Sequence, residues 1–215
     1  GDSLSEIKFT STGCPQGSLL SPLLFLIYIA DVELWTQKMK IHGYADDTAS
    51  TVCSPDMNAV VEDLEKDGEK LLRFMASNHL VANPSKTGLL IIRAKGSPQA
   101  RRCARLDGTV IQESESQRVL GMTLNNNLSW NEHIYGKGGL VSSLHQKLGA
   151  LRRLSFHVPT QYMTTIAKAT LVSKVRYGLG IYGTVRLSND EPRKSIMDDL
   201  QVILNNTMRL LLNKK

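Results

Sequence analysis

The chain has 215 residues, of which 41% are hydrophobic and 21% are charged, and its formal net charge is +6. This length allows one domain or two small ones, and the hydrophobic fraction is high enough to form a buried core. We therefore expect a globular protein. The longest apolar stretch, residues 19–30, is interrupted by Ser21 and Pro22, and it is shorter than the roughly 20 residues of a membrane span. We therefore expect no membrane segment.

The positive charge is concentrated in the C-terminal part. Residues 1–129 hold 13 Lys and Arg against 15 Asp and Glu, a net of −2, whereas residues 130–215 hold 13 against 5, a net of +8. A basic segment suits a polyanion, because each contacted phosphate releases condensed counterions. General solubility explains the same excess equally well. Three widely spaced cysteines argue against a disulfide framework and favour a reducing compartment.

The N-terminal residues predict a strand, a turn and a helix. Ile7 and Phe9 alternate with polar neighbours, as in a half-buried strand, and residues 12–17 are typical of a turn. Ser21 as N-cap, followed by proline, predicts a helix that continues to Leu34. Because this helix is apolar almost all round, we expect it to be buried against a sheet.

Two acids lie at the tip of a predicted hairpin. Strand-like runs at 39–44 and 48–53 flank Ala45-Asp46-Asp47. After the helix-start signal Ser54-Pro55, apolar residues recur at helical spacing and predict an amphipathic helix over about residues 55–78.

The downstream elements are short at first and then helical. A turn at 83–87 leads into a predicted buried strand at 89–92, Asp107-Gly108 marks a further hairpin, and residues 119–124 predict a short strand. From residue 130 the apolar spacing predicts three helices, over about 140–151, 162–176 and 196–211. The predicted fold class is α+β, with a mixed domain at 1–129 and an all-helical, basic domain at 130–215.

Adjacent aspartates at a turn repel each other unless solvent or cations intervene. Magnesium accepts hard oxygen ligands and keeps positions open for phosphates, and two ions about 4 Å apart can activate an attacking hydroxyl and stabilise a leaving oxygen. Successive side chains on a strand point to opposite faces, so only one of the two acids need bind the ion directly. A solvated turn is the competing interpretation, because Asp is a common turn residue.

Four motifs occur in one order over about residues 10–135. Tyr44-Ala45-Asp46-Asp47 resembles the Tyr-x-Asp-Asp signature of reverse transcriptases, with the Ala of the non-LTR retrotransposon and group II intron branches. Residues 13–31, a glycine turn followed by a helix, resemble the family's second palm motif. Asn83-Pro84-Ser85-Lys86-Thr87 resembles the next palm motif. Residues 119–124, with Trp130 and His133 beyond, resemble the primer-grip hairpin of non-LTR elements.

The resemblance implies roles for the acids and their neighbours. Asp46 and Asp47 would bind Mg²⁺ or Mn²⁺, and Lys86 would protonate the departing pyrophosphate or steady the triphosphate. Gln16 and Gly17 would contact the incoming nucleotide and the template, and Tyr44 would contact the primer end. An isolated lysine in a turn is otherwise a solvated charge.

The resemblance also implies nucleic-acid contacts. Leu120 and Gly121 would belong to the primer grip, although a buried strand with a glycine bulge explains them as well. The helical remainder lies where the family has its thumb. Its candidate phosphate contacts are Lys147, Arg152, Arg153, Lys168, Lys174 and Arg176. A solvated helix face is the alternative for each of them.

The implied architecture is a partial palm at 1–129, including the primer grip, and a thumb-like region at 130–215. The implied activity is that of an RNA-directed DNA polymerase, in which a primer 3′-hydroxyl attacks the α-phosphate of a dNTP on an RNA template. Its partners would be RNA template, DNA primer and the rest of a polyprotein, with fingers and an endonuclease. The implied location is intracellular, in the nucleus or cytoplasm and not in a membrane.

The family's motif with the first metal-binding aspartate does not occur in this sequence. Asp2 does not replace it, because Asp2 lacks the apolar strand on which that motif lies. We therefore expect the completing carboxylate upstream, and we expect the fragment alone to be unable to polymerise. Two alternatives stay open. One is a group II intron maturase, which shares the Ala-Asp-Asp tip. The other is a degenerate or domesticated relic that only binds nucleic acid or a protein.

Overall fold

The computed structural model describes residues 13–15, 17–83, 86–94, 96, 100–183 and 196–212. Within these ranges the chain combines α-helices with three small two-stranded antiparallel sheets, which confirms the predicted mixed fold class in outline. The chain divides into two compact units. Unit 1 comprises Gly1–Thr87 and Arg101–Gln112, and unit 2 comprises Gly88–Ala100 and Glu113–Lys215. The predicted domain boundary at 129/130 stays a prediction, because these units follow packing and not function.

In unit 1, helix α1 (Ser21–Tyr28) is shorter than predicted and is followed by a 3₁₀ turn at Val32–Trp35. Its N-cap is Leu20 rather than Ser21. None of the residues of α1 is buried, and the four leucine and isoleucine side chains along it are each more than half exposed. The prediction of a buried helix against a sheet is therefore wrong for the described structure. A helix that is apolar on all sides is buried only where other elements cover every side. In the described chain α1 is attached by the Tyr28 hydroxyl, which donates to the Asn78 carbonyl.

Strands β1 (Lys40–Tyr44) and β2 (Asp47–Thr51) form the predicted acidic hairpin. Helix α2 (Met57–Ser77) follows, close to its predicted bounds. Its N-cap is Asp56 and not the predicted Ser54, because the Asp56 carboxylate accepts from the Asn58 N–H at 3.0 Å.

Strands β3 (Cys103–Leu106) and β4 (Thr109–Gln112) form the predicted hairpin around Asp107-Gly108, whose φ values are +46° and +73°. Ala104 of β3 is buried. Phe74 of α2 is also buried and meets the Trp35 ring edge-on, with centroids 5.7 Å apart. Unit 1 therefore has a small core beneath α2.

In unit 2, the strand predicted at 89–92 is not regular. Leu89 and Ile91 are buried, but a single parallel bridge joins Leu89 to Glu113. The Arg93 guanidinium forms a buried ion pair with the Glu113 carboxylate beside it. This segment is thus held partly by one ion pair instead of a continuous ladder.

Residues 116–125 form a hairpin and not the predicted single strand. Strands β5 (Ser116–Val119) and β6 (Met122–Asn125) pair across Leu120-Gly121, which have φ values of +47° and +80°. Two positive φ values at a two-residue turn match the right-handed twist of a hairpin, and glycine adopts them readily.

The helices that follow build one core. They are α3 (Asn131–Tyr135), α4 (Leu140–Leu154), α5 (Thr160–Ala167), α6 (Ser173–Arg176), α7 (Leu179–Tyr182) and α8 (Ile196–Leu211), with a π-helical turn (Lys168–Val172) joining α5 to α6. The three helices predicted from periodicity are confirmed. Their shared core contains Trp130, Ile134, Leu140, Leu144, Leu148, Leu151, Met163, Ala167, Leu171, Val175, Tyr182, Ile196, Leu200 and Ile203. Across the described ranges, every helix is too short or too polar to span a membrane.

Candidate polymerase site

The two acids occupy the tip of the β1–β2 hairpin. Ala45 has φ +53°, Asp46 follows it in the turn, and Asp47 begins β2 opposite Tyr44. Both acids are exposed, and the Tyr44 side chain is 69% exposed. In the part of the chain that the structure describes, neither carboxylate forms an ion pair with a cationic side chain. Both are therefore accessible to a cation from solvent.

The donor chemistry of this tip fits a divalent metal in part. Asp46 and Asp47 offer hard, exposed oxygen atoms, which are the ligands that Mg²⁺ prefers. No group of three acidic, histidine or cysteine side chains converges to hold a metal within the described ranges. The tip could therefore supply some of the ligands of a metal site but, within the described ranges, not a complete set.

The glycine turn before α1 has the backbone that its sequence predicts. Gly13 and Gly17 have φ values of +81° and +86°, a region that residues with a side chain rarely adopt. Among the described residues, no atom lies within 4 Å of the position that a Cβ on Gly17 would take. Gln16 lies outside the described residues, so its contact with a nucleotide stays a prediction.

The base of the acidic hairpin is held by a carboxylate that the sequence did not single out. Asp67 of α2 is 2% exposed. Its Oδ2 accepts from three consecutive backbone N–H groups at 2.8, 2.6 and 2.9 Å, those of Gln37, Lys38 and Met39. Its Oδ1 accepts from Lys70 Nζ at 2.8 Å. Asp67 thus binds the segment that leads directly into β1.

The charge of Asp67 is stabilised by these donors. Burial raises the pKa of the Asp67 carboxyl, but the Lys70 ammonium and the three N–H groups lower it by more, so the pKa lies well below its usual range. In sequence, Asp67 is one of several acids on an amphipathic helix. The only available signal was that it falls near the apolar side of that helix, beside Leu64, Leu71 and Phe74.

Lys86 lies in a turn of the predicted kind. Its backbone N–H donates to the Asn83 carbonyl at 3.1 Å, and the Thr87 hydroxyl donates to the same oxygen at 3.0 Å. The Lys86 side chain is exposed. Its role in catalysis stays a prediction, because Pro84 and Ser85 of the motif lie outside the described residues.

The tip of the β5–β6 hairpin, which contains the predicted primer-grip residues Leu120 and Gly121, is anchored within unit 2. The Tyr177 hydroxyl donates to the Leu120 carbonyl. Next to it, Gly178 has φ +73°, and a Cβ there would lie 2.5 Å from Met122 Sδ. The turn between α6 and α7 therefore packs closely against this hairpin.

Among the six predicted phosphate contacts, Lys147 and Lys174 are half-buried, and Arg152, Arg153, Lys168 and Arg176 are exposed. Lys174 Nζ donates to Ser143 Oγ at 2.5 Å. Burial lowers the pKa of Lys174, and the charges of Lys147 and Arg118 lower it further. Arg118 of β5, which was not predicted, is therefore close enough to Lys174 for its charge to act on that ammonium. Its position just before the predicted primer-grip turn was the only signal in the sequence.

His133 links this cationic cluster to the core. Its ring lies against Trp130 and Tyr182, with centroids 6.0 and 5.8 Å away. Its Nδ1 lies 3.3 Å from the Thr123 N–H, which donates to it. Burial lowers the pKa of His133, and the charges of Arg118 and Lys174 lower it further. A neutral imidazole is needed here, since a protonated Nδ1 could not accept.

Comparison with known proteins identifies the family. Residues 2–124 match the family described as reverse transcriptase (RNA-dependent DNA polymerase). A probable RNA-directed DNA polymerase from transposon BS of Drosophila melanogaster is 27% identical over 98% of this chain and 23% of the relative. The RNA-directed DNA polymerase from mobile element jockey of the same species is 24% identical over 95% of this chain and 22% of the relative.

A third relative is the retrovirus-related Pol polyprotein from type-1 retrotransposable element R1 of Bradysia coprophila, 22% identical over 95% of this chain and 20% of the relative. The chain thus spans between 20% and 23% of the length of these three relatives. No solved structure matches significantly. The resemblance to reverse transcriptases of the non-LTR kind is confirmed, and the chain belongs to the reverse transcriptase (RNA-dependent DNA polymerase) family.

Proposed function

We propose that the protein containing this chain is an RNA-directed DNA polymerase of a non-LTR retrotransposon, a nucleotidyltransferase whose divalent metal is held partly by Asp46 and Asp47. The observation that carries this proposal is the acidic turn itself. Two exposed carboxylates lie at the tip of a paired hairpin, without an ion-pair partner in the described chain, in a member of the reverse transcriptase family. The relatives named above support the retrotransposon reading over the maturase alternative.

The residues of this chain then bind and orient the reactants. Asp46 and Asp47 hold Mg²⁺ or Mn²⁺, which when bound neutralises phosphate charge and assists attack by a primer 3′-hydroxyl. A further carboxylate from outside the described residues completes the site. Tyr44, the cross-strand neighbour of Asp47, lies near the primer end. Lys86 steadies the triphosphate or donates a proton to the departing pyrophosphate.

The finer architecture belongs to the same proposal. The β1–β2 hairpin, α2 and the glycine turn with Gln16 and Gly17 form part of a palm that receives the nucleotide and the template. The β5–β6 hairpin, with Leu120 and Gly121 at its tip, is the primer grip. The basic helices after residue 130 form the thumb. The fingers, an endonuclease and the completing carboxylate are contributed by other parts of a polyprotein that acts in the nucleus or cytoplasm.

A cationic cluster supports the proposed binding of template and primer. Arg118, Lys147 and Lys174 come from three different elements, and no ion pair with an acid neutralises them within the described ranges. Like charges gathered in this way favour an anion, and phosphate oxygens accept from both Lys and Arg. The exposed Arg152, Arg153, Lys168 and Arg176 are further contacts with the nucleic-acid backbone in this proposal.

The proposal is tested by primer extension on an RNA template, using the longer protein that contains this chain. Asp46→Asn and Asp47→Asn should each lower kcat by about 100-fold or more, because a metal ligand is lost. Asp107→Asn is the matched control, since Asp107 is an exposed aspartate at the β3–β4 turn of the same unit. Equal activity of Asp46→Asn and Asp107→Asn would overturn the assignment. Retained RNA binding without any extension by the parent protein would favour the non-catalytic relic.

A further inference from the structure

The acidic hairpin has little packing of its own within the described chain. In β1 and β2 only Ile41 and Ala49 are half-buried, and the other residues are exposed. Pairing between the strands keeps the ribbon straight but does not fix its direction. The location of the tip therefore depends on how the base of β1 is attached.

That base is attached at residues 36–39. The Thr36 hydroxyl donates to the Met39 carbonyl at 2.9 Å, and the Met39 side chain is buried. All three N–H groups from Gln37 to Met39 point at one oxygen of Asp67. Because β1 begins at Lys40, the next residue, these bonds hold the start of the hairpin to α2.

The geometry amplifies any error at the base. Tyr44 is five residues beyond Met39, so the tip lies about 17 Å away at the usual rise of a strand. A tilt of about 10° at the base would move the tip by about 3 Å, whereas functional groups need placement within about 0.5 Å. A small loosening at residues 37–39 is therefore enough to misplace both aspartates.

The anchor requires a carboxylate. Asp67 accepts three N–H groups on one oxygen and the Lys70 ammonium on the other, so all four partners are donors. A carboxylate is acceptor-only, whereas an amide would turn an NH₂ group toward one set of donors. Asparagine at this position would leave either the N–H groups or the ammonium without an acceptor.

We infer that Asp67 is a positioning residue that aims the Asp46–Asp47 turn by binding the backbone of residues 37–39. The inference rests on the proposed metal-binding role of this turn. Asp67 touches no reactant. It acts through the hairpin, and its effect should appear as a change in the direction of a tip that is itself unmutated.

The test uses the 215-residue chain, with NMR observation of backbone amides. In the parent chain, substoichiometric Mn²⁺ should broaden the amide signals of residues 44–48 selectively. Asp67→Asn should increase hydrogen exchange at residues 37–39 by about tenfold or more and change the residual dipolar couplings of residues 40–51 relative to those of α2, because the hairpin loses its fixed direction. Glu69→Gln is the matched control, because it removes one exposed charge from the same helix and should change neither readout.

A milder variant covers the case in which Asp67→Asn unfolds unit 1. Lys70→Met keeps the three N–H bonds and removes only the ion pair, so it should change the dipolar couplings of residues 40–51 by less than Asp67→Asn while exchange at 37–39 stays low. Chemical shifts of α2 amides report whether the helix is intact in each variant.

The outcomes separate the two proposals. If the parent chain shows no selective broadening at residues 44–48, the metal assignment of the acidic turn fails. If the parent shows it and a folded Asp67→Asn variant has the same dipolar couplings in residues 40–51 and the same exchange at 37–39, the metal assignment stands and the positioning role of Asp67 is overturned.

Discussion

The two units are stabilised in different ways. Unit 2 has a continuous apolar core that joins six helices to the β5–β6 hairpin. In the described part of unit 1, the buried hydrophobic side chains are Met39, Phe74 and Ala104, and α1 remains exposed. Polar anchors such as Asp67 take the place of packing there. The difference teaches that the predicted catalytic acids lie on the unit whose arrangement depends most on a few directed hydrogen bonds.

This arrangement has a physical reason. A tip that binds a metal from solvent must be exposed. Exposed strands are not held in position by the packing of buried side chains. Directed bonds to a buried carboxylate orient a strand without covering it. The helices of unit 2 present cations on their surface, and a packed core suffices to hold them in place.

The largest expected effect is the loss of stability on truncating a buried side chain of unit 2, compared with an exposed side chain of α1 in unit 1. Leu144→Ala should destabilise unit 2 by about 3 kcal/mol, because Leu144 is fully buried and a cavity would remain. Leu24→Ala, at a 52% exposed position of α1, should cost less than about 0.5 kcal/mol. Urea unfolding would be followed by Trp130 fluorescence in a Trp35→Phe background for Leu144→Ala, and by exchange of α2 amides for Leu24→Ala. Equal losses of unfolding free energy in the two variants would contradict the proposed difference between the units.

An intermediate effect tests the polar anchor by pH. At pH 7, Asp67→Asn should destabilise unit 1 by about 2 kcal/mol relative to the parent, as reported by Trp35 fluorescence during urea unfolding. Because the folded-state pKa of Asp67 is depressed, this stabilisation is present above the unfolded-state value near 3.8 and is lost progressively as pH falls below it. The difference between parent and variant should therefore shrink below about pH 4. A difference that stays constant down to pH 2 would contradict the charged anchor.

The smallest effect concerns the turn that packs against the predicted primer grip. Gly178→Ala should cost about 1–2 kcal/mol, because alanine is strained at φ +73° and its Cβ would meet Met122 Sδ. Gly180→Ala is the control, since Gly180 lies in α7 and no atom of the described chain lies within 4 Å of its Cβ position, and it should be neutral or slightly stabilising. Thermal unfolding with Trp130 fluorescence measures both. Equal loss in the two variants would show that the turn does not require glycine.

Local patterns determined much of this protein. Turn residues predicted the hairpins at Ala45-Asp46 and Asp107-Gly108, and leucine spacing predicted α4 with its buried face. The motif around Tyr44 led to the family. These features depend on residues close together in the chain, and a sequence reports such neighbours directly.

Tertiary structure alone decided the rest. The exposure of α1 could not be read from its composition, because an apolar helix does not specify what covers it. The charges of Lys147 and Arg118 act on Lys174, and the backbone of residues 37–39 is attached to Asp67, so both features join segments about 30 residues or more apart. Such contacts depend on how elements pack, and no local periodicity encodes which distant donor a buried carboxylate will meet.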